Sequence, residues 1–312
     1  MTHQSEIQTA LDEAVAHARL SAEGEPATYI PELANVDLEK TSAAVRSASG
    51  ELCVAGDADS HEFTLQSSAK LVVLIGLLEE LGPDAVFRVV GKEPTGASFA
   101  SVARLETHGP GPANPLVNSG AIALCGQLAG TLEDRLSWIQ RWAARLYGTR
   151  VALDETVLDS ERATGDRNRS IAYFLKHNGV LRGSVDDTLE IYFSLCSLFT
   201  RVQHAALLPA LLASGGLLPG SRERVLRSDT VAQVVSLMAT CGMYDESGAH
   251  MVATGLPAKS GVSGVIVAVA PGRAGIAVSS PRVNARGGSV RGHVVLGQLS
   301  RALGWHFALP LR

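Results

Sequence analysis

This 312-residue chain has no concentration of basic charge. Lys and Arg number 27 against 31 Asp and Glu, a formal net charge of -4. Without a positive stripe, neither a nucleic-acid backbone nor an anionic membrane surface is an expected partner. Long apolar runs are also missing. The longest, around Leu71 to Leu78 and Val265 to Ala270, fall well short of the roughly 20 residues a spanning helix needs, so no membrane association is expected. Cys53, Cys125, Cys196 and Cys241 lie far apart with no Cys-x-x-Cys spacing. That argues against a zinc knuckle or a disulfide framework and for free, buried thiols. Glu6, Asp12 and Glu13 occupy the stretch where an export signal would be positive and then apolar, so a cytoplasmic location is expected. The nine histidines are dispersed, with no His-x-x-x-His pair and no Gly-x-Ser-x-Gly elbow, so they suggest neither a zinc site nor a histidine-based triad. There is no internal repeat, low-complexity tract or linker.

At 46% hydrophobic, the chain can bury a large core. Ile7, Leu11, Ala14, Val15 and Ala18 recur at helical spacing and predict an amphipathic helix over 5–20. Leu52 and Val54 alternate with polar neighbours, as do Phe63 and Leu65. The turn formers Gly56-Asp57-Ala58-Asp59-Ser60 lie between them, so a β-hairpin is expected. From Ser68 to Leu81 the sequence is apolar almost all round, as in a buried helix, and Gly82 and Pro83 end it.

Thr131 with Asp134 opens an amphipathic helix that Gly148 closes, and further helices are predicted at 155–163, 167–177, 186–198, 201–213 and 229–241. Val262 to Ala270 is β-rich, the turn Pro271 to Gly275 follows, and Ile276 to Ser279 can pair back. A last helix covers about 289–303. The economical architecture is one sheet built from both ends of the chain, about 1–82 and 245–312, with a helical lobe at about 83–244.

Ser67-Ser68-Ala69-Lys70 stands where strand 62–66 meets the buried helix. A serine three residues before a lysine shares its helical face, so hydroxyl and amine can meet. Lysine acts as a base once desolvation lowers its pKa from about 10.4 towards roughly 7–8, and Leu71 to Leu74 supply the apolar surroundings. The helix start also offers a backbone N–H to a developing oxyanion. Chance alone supplies about half an occurrence of Ser-x-x-Lys in such a chain, so position carries the argument: only Lys70 among the lysines follows such a serine and lies in an apolar helix. A lysine snorkelling from the end of a core helix is the plain alternative. Lys259-Ser260-Gly261 before a strand completes an order seen in penicillin-recognising enzymes.

Tyr29-Ile30-Pro31-Glu32-Leu33-Ala34, Gly56-Asp57, Gln66-Ser67-x-x-Lys70, Glu93-Pro94-x-Gly96, Asn114-Pro115-x-Val117-Asn118-x-Gly120-Ala121-Ile122 and Pro257 to Gly264 together resemble the serine-dependent glutaminase family, in order and over nearly the whole chain. The resemblance implies a serine β-lactamase/transpeptidase-like α/β (α+β) fold: an antiparallel sheet flanked by helices, plus a helical subdomain. It implies hydrolysis of L-glutamine to L-glutamate and ammonia through Ser67 and Lys70, without cofactor or metal, with water as the second substrate and a homo-oligomer (dimer or tetramer) as the working state.

It also assigns roles. Glu161 pairs with the substrate ammonium. Asn118, Asn168 and Tyr192 hold the carboxylate and amino end, Tyr29 and Tyr244 bind substrate or relay a proton, and the backbone N–H groups of Val262 and Ser67 form the oxyanion hole. Without the resemblance, Glu161 and Asn168 read as a solvated helix junction, Tyr192 as core, Tyr244 as a loop cap and Asn118 as the cap of a helix from Ser119. Ser68-Ala69 and Val265 depart from the family pattern. A penicillin-recognising hydrolase and a catalytically impaired glutamine-binding regulator are the alternative functions.

Overall fold

The computed structural model describes residues 3–96, 100–101, 105–107 and 109–309. Five antiparallel strands form the main sheet: β1 (Ser42–Ser47), β2 (Leu52–Gly56), β6 (Ala258–Gly261), β7 (Val265–Ala270) and β8 (Ala274–Ser279), in the order β2-β1-β8-β7-β6. Both ends of the chain therefore supply it. A smaller sheet takes β3 (Phe63–Thr64), β4 (Ala152–Leu153) and β5 (Leu198–Thr200), in the order β3-β5-β4.

The expected hairpin between Leu52–Val54 and Phe63–Leu65 does not form. β2 pairs with β1, Val54 opposite Ala44, while Phe63 sits opposite Thr200. The β1–β2 connection uses Gly50 at φ 96°, a left-handed conformation that costs glycine nothing. Gly56 and Asp57 do turn the chain, through paired bonds between Asp57 and the Thr41 backbone. That turn sends the chain to the other sheet instead of folding it back.

β7 is buried along its whole length, which explains a run with no polar alternation. Side chains still alternate by face. Val265, Val267 and Val269 enter one core with Ala277, whereas Ile266, Ala268 and Ala270 enter another with Ile276 and Val278. The second core is closed by α1 (His3–Ala18) and the last helix, Val290–Leu303. On the opposite face Leu207–Ala213 lies so close to β8 that a Cβ at Gly275 would stand 2.0 Å from Ala210 N.

The first core is organised by α2 (Lys70–Leu81), whose residues from Lys70 to Leu78 are all buried. Packed on it are α3 (Asn118–Cys125), α4 (Leu132–Tyr147) and α8 (Ser228–Cys241), while α5 (Glu155–Thr164) and α6 (Asp166–His177) pack on α7 (Val185–Cys196), which itself packs on α3 and α4. Thr131 and Asp134 make a reciprocal capping box at the start of α4, and Gly148 closes it in the left-handed conformation, as the sequence predicts.

Candidate active site

β3 hands the chain to α2 through a 3-10 turn at Gln66–Ala69, so the expected helix from Ser68 begins at Lys70. This turn separates two neighbouring hydroxyls. Ser68 is fully buried and its Oγ donates to Leu65 O at 2.6 Å, whereas Ser67 is half-buried and lines a pocket.

Lys70 has no exposed surface. Burial deprives its ammonium of water and lowers its pKa to about 8, against the opposing pull of Cys196, Glu161 and Cys125. Its Nζ lies 3.3 Å from Leu116 O, 2.6 Å from Asn118 Oδ1 and 3.2 Å from Tyr244 Oη. The chain of bonds continues: Asn118 Nδ2 donates to Asn168 Oδ1, and Asn168 Nδ2 to Tyr29 Oη, each at 3.0 Å. With Asn118 Oδ1 turned to Lys70 Nζ, Asn118 Nδ2 faces Asn168 and Asn168 Nδ2 faces Tyr29, which leaves the Tyr29 oxygen accepting. Tyr29 is 37% exposed, and its own proton remains free to donate.

Tyr244 follows helix α8 in a 3-10 turn and has φ 55°; Gln66 has φ 46°. Among the described residues these are the two non-glycine residues at positive φ, and both line the pocket. Such backbone strain persists where the surrounding structure holds it in place, commonly at functional sites. The Tyr244 hydroxyl also hydrogen-bonds the Ser67 side chain, so the phenol bridges serine and lysine. A neutral Lys70 amine has two N–H bonds, enough for Leu116 O and Asn118 Oδ1, and one lone pair to accept from Tyr244.

Lys259, also fully buried, donates to Ser260 O at 2.6 Å and lies 4.0 Å from the centroid of the Tyr244 ring. Burial, then the neighbouring Lys70 charge, holds it well below the ordinary lysine range. Among the described residues neither lysine has a carboxylate within hydrogen-bonding distance, and burial favours the free amines.

Glu161 on α5 and Asn168 on α6 are each 1% exposed, which corrects their reading as a solvated junction. Glycine at position 165 brings the two helices together, where a Cβ would stand 2.5 Å from the Phe193 ring. Burial raises the Glu161 carboxyl to about 7, with the Gln66 amide and the Lys70 charge pulling the other way. Glu161 Oε1 and Gln66 Nε2 are buried without a hydrogen-bond partner among the described residues. The Gln66 amide lies against the Glu161 carboxyl, and the free Oε1 is open to a further donor within the pocket.

Tyr192 on α7 is 2% exposed yet lines the same pocket. Asn118 belongs to the first turn of α3, with Val117 at the cap, so it is not the cap residue that the plain reading made it. Val262 lies in the β6–β7 turn. Ser263 Oγ ties that turn to Thr64 O at 2.6 Å, and a Cβ at Gly261 would stand 2.7 Å from Leu65 O, so β6 runs hard against the segment carrying Ser67. Val265 is fully buried in β7, which confines its departure from the family pattern to the core.

Tyr29, Ser67, Asn118, Glu161, Tyr192, Tyr244 and Val262 therefore line one pocket, with Lys70 and Asn168 bonded directly behind them. Gln66, Cys196, Ser260, Arg286 and Gly287 line it too, without having been singled out. Gln66 and Ser260 stand inside motifs read from the sequence. Arg286 and Gly287 come from a loop whose sequence carries no chemical signal. Among the described residues no three His, Cys, Asp or Glu side chains group as a metal site would.

A family model described as Glutaminase matches residues 24–307. The glutaminase of Legionella pneumophila (strain Corby) is 49% identical over 300 residues, covering 96% of this chain and 97% of the relative. Glutaminase 2 of Clostridium perfringens (strain 13 / Type A) is 41% identical over 283 residues, covering 90% and 92%. Among solved structures, the probable glutaminase ybaS superposes with a TM-score of 0.94 at 38% identity, covering 98% of this chain and 99% of that one. Mglu in its glutamate form gives 0.92 at 35%, covering 100% and 71%.

The lowered pKa of Lys70 has a consequence for stability. Folded Lys70 loses its proton near pH 8, and unfolded lysine near 10.5. Between those values the unfolded chain binds more protons, so stability rises with pH there, by at most about 3 kcal/mol. In urea denaturation, we expect the wild type to gain on Lys70→Met between pH 8 and pH 10.5. A constant difference would show that Lys70 titrates normally.

Proposed function

The chain belongs to the glutaminase family and is an amidohydrolase of serine β-lactamase-like fold that converts L-glutamine to L-glutamate and ammonia, and on that premise we propose that Ser67 is its nucleophile and Lys70 its base. One observation carries this reading: a half-buried serine and a buried carboxylate with an unpartnered oxygen face the same pocket. Glutamine offers an ammonium to the carboxylate and a side-chain amide to the serine. The identity displaces the penicillin-recognising alternative.

In the proposed reaction Ser67 Oγ attacks the γ-carbon while its proton passes to Tyr244 and the Tyr244 proton to Lys70. The two hydrogen bonds of the phenol support that route over direct transfer. The backbone N–H groups of Ser67 and Val262 stabilise the oxyanion. Lys70 returns the proton to departing ammonia, and water then hydrolyses the γ-glutamyl ester. Glu161 binds the α-ammonium. Asn118, Asn168, Tyr192 and Tyr29 hold the carboxylate and amino end, and the amide orientations set by Lys70 keep the Tyr29 proton available to a carboxylate. With the chain read as two lobes, about 1–82 with 245–312 and 83–244, this chemistry would fall in the cleft between them.

We propose a cytoplasmic location, in keeping with the absence, among the described residues, of a helix long and apolar enough to cross a membrane. A homo-oligomer, dimer or tetramer, follows from the family resemblance, and light scattering should give a mass of two or four chains. A single-chain mass would refute it.

Ser67→Ala should abolish ammonia release with the fold retained, and Ser68→Ala should leave it largely intact. The reverse result would move the nucleophile by one residue. Glu161→Gln keeps shape and removes charge, and we expect a loss of about 2–5 kcal/mol in kcat/KM for glutamine, the range for truncating one partner of a buried charge pair. Glutamine acylated at its α-amine should be rejected by the wild type and discriminated far less by the variant. Equal turnover of both substrates by the wild type would remove the ammonium pocket.

A further inference from the structure

Glu246 ends the 3-10 turn that begins at Tyr244, and its Oε1 accepts from Asn284 Nδ2 at 2.7 Å. Asn284 in turn organises the loop after it. Its Oδ1 accepts from the backbone N–H groups of Arg286 and Gly288, and its own backbone pairs with Gly287 and Gly288. Arg286 and Gly287, which line the pocket, are thus tied through Asn284 to one carboxylate.

The second oxygen of that carboxylate faces a histidine. A Cβ at Gly288 would stand 2.5 Å from Glu246 Oε2 and 3.0 Å from His293 Nε2, so these atoms are neighbours across the space of one missing methyl group. His293 Nε2 is buried with no hydrogen-bond partner among the described residues.

Its protonation follows from the ring beside it. His250 Nε2 lies 3.0 Å from Leu256 O, and a carbonyl only accepts, so that nitrogen carries the proton. In the neutral ring Nδ1 then accepts, and His293 Nδ1, 3.3 Å away, donates to it. His293 Nε2 is left as a lone pair beside a carboxylate, and one added proton would satisfy both. Burial lowers both imidazoles, that of His250 to about 4, and the Glu246 charge pulls His293 the other way. Other charges on these segments are engaged, Arg286 with Asp245 and Arg291 with Glu39. His306 stands against Gly255, past the end of the helix Ser247–Thr254 that carries His250. α1, β7 and β8 share an apolar core with the last helix, which carries His293.

We propose that Glu246 and His293 are positioning residues for the pocket wall: proton uptake by His293 closes an Nε2–H···Oε2 ion pair that fixes Glu246 and, through Asn284, the Arg286–Gly287 segment. The consequence for KM rests on the glutamine reading above, whereas the ion pair does not.

Nuclear magnetic resonance of 15N-labelled enzyme, from about pH 8 to about pH 5 where histidines titrate, tests the pair directly. His293 Nε2 should gain a proton, and the Arg286 and Gly287 amides should shift with the same midpoint. Glu246→Gln should lower that midpoint by at least about one pH unit. Kinetics are read as ratios to wild type, so that titration of Glu161 cancels. The KM ratio of His293→Phe should rise at least about threefold from about pH 8 to about pH 5, with the kcat ratio constant within about twofold. Glu246→Gln can accept from Asn284 and donate to a neutral imidazole, so its KM should fall below wild type at about pH 8. Loop amides that do not follow His293, or a KM ratio for His293→Phe that is flat with pH, overturn the inference. A wild type without glutamine turnover at any pH overturns the glutamine reading instead, and the shared midpoint alone then decides the ion pair.

Discussion

Burying the amine of Lys70 is the constraint on which the rest of the site depends. A cation removed from water needs either a counter-ion or a route to neutrality. Here its near neighbours are a carbonyl, an amide oxygen and a phenol, none of them anionic, so the amine is driven towards its free-base form. Everything arranged around Lys70 then follows as hydrogen-bond accounting. Asn118 must present its oxygen, Asn168 must receive the other end, and Tyr29 must accept from Asn168. The bonds from a single buried amine thus link side chains from three other parts of the chain.

The same burial makes the other charge of the site conditional. Glu161 lies in the same dry region, with its carboxyl raised to about 7 and one oxygen unpartnered. On the proposed reading, an arriving ammonium would favour the ionised form by supplying the missing partner, which would suit the site to a zwitterion. The strained backbone of Gln66 and Tyr244 belongs to the same economy. Each residue is held off its preferred conformation at the point where its side chain has to reach the pocket.

Two close approaches hold this arrangement in place. Gly261 and Ser263 press the β6–β7 turn against the segment before Ser67. Gly165 lets α5 and α6 meet against Phe193 so that Glu161 and Asn168 face inward. The turn carrying Ser67 is therefore clamped between a sheet edge and a helical core, and its position is inherited from packing on both sides rather than from the turn itself.

Much of this was legible in the residues. The apolar run after Lys70, the Thr131–Asp134 cap, most helix spans and the two-ended sheet follow from periodicity and turn chemistry, because these depend on near neighbours in sequence. The Ser67–Lys70 spacing and the family motifs likewise brought the pocket residues to notice. Tertiary structure decided what depends on contact between distant segments. The partner of β2 was β1 and not β3, since alternation marks a strand without naming its neighbour. The polar stretch 161–168 turned inward, since burial of polar side chains is a property of what packs over them. Tyr244 came to bridge Ser67 and Lys70 because α8 ends beside the start of α2, more than a hundred residues away in the chain, and no local pattern encodes that meeting.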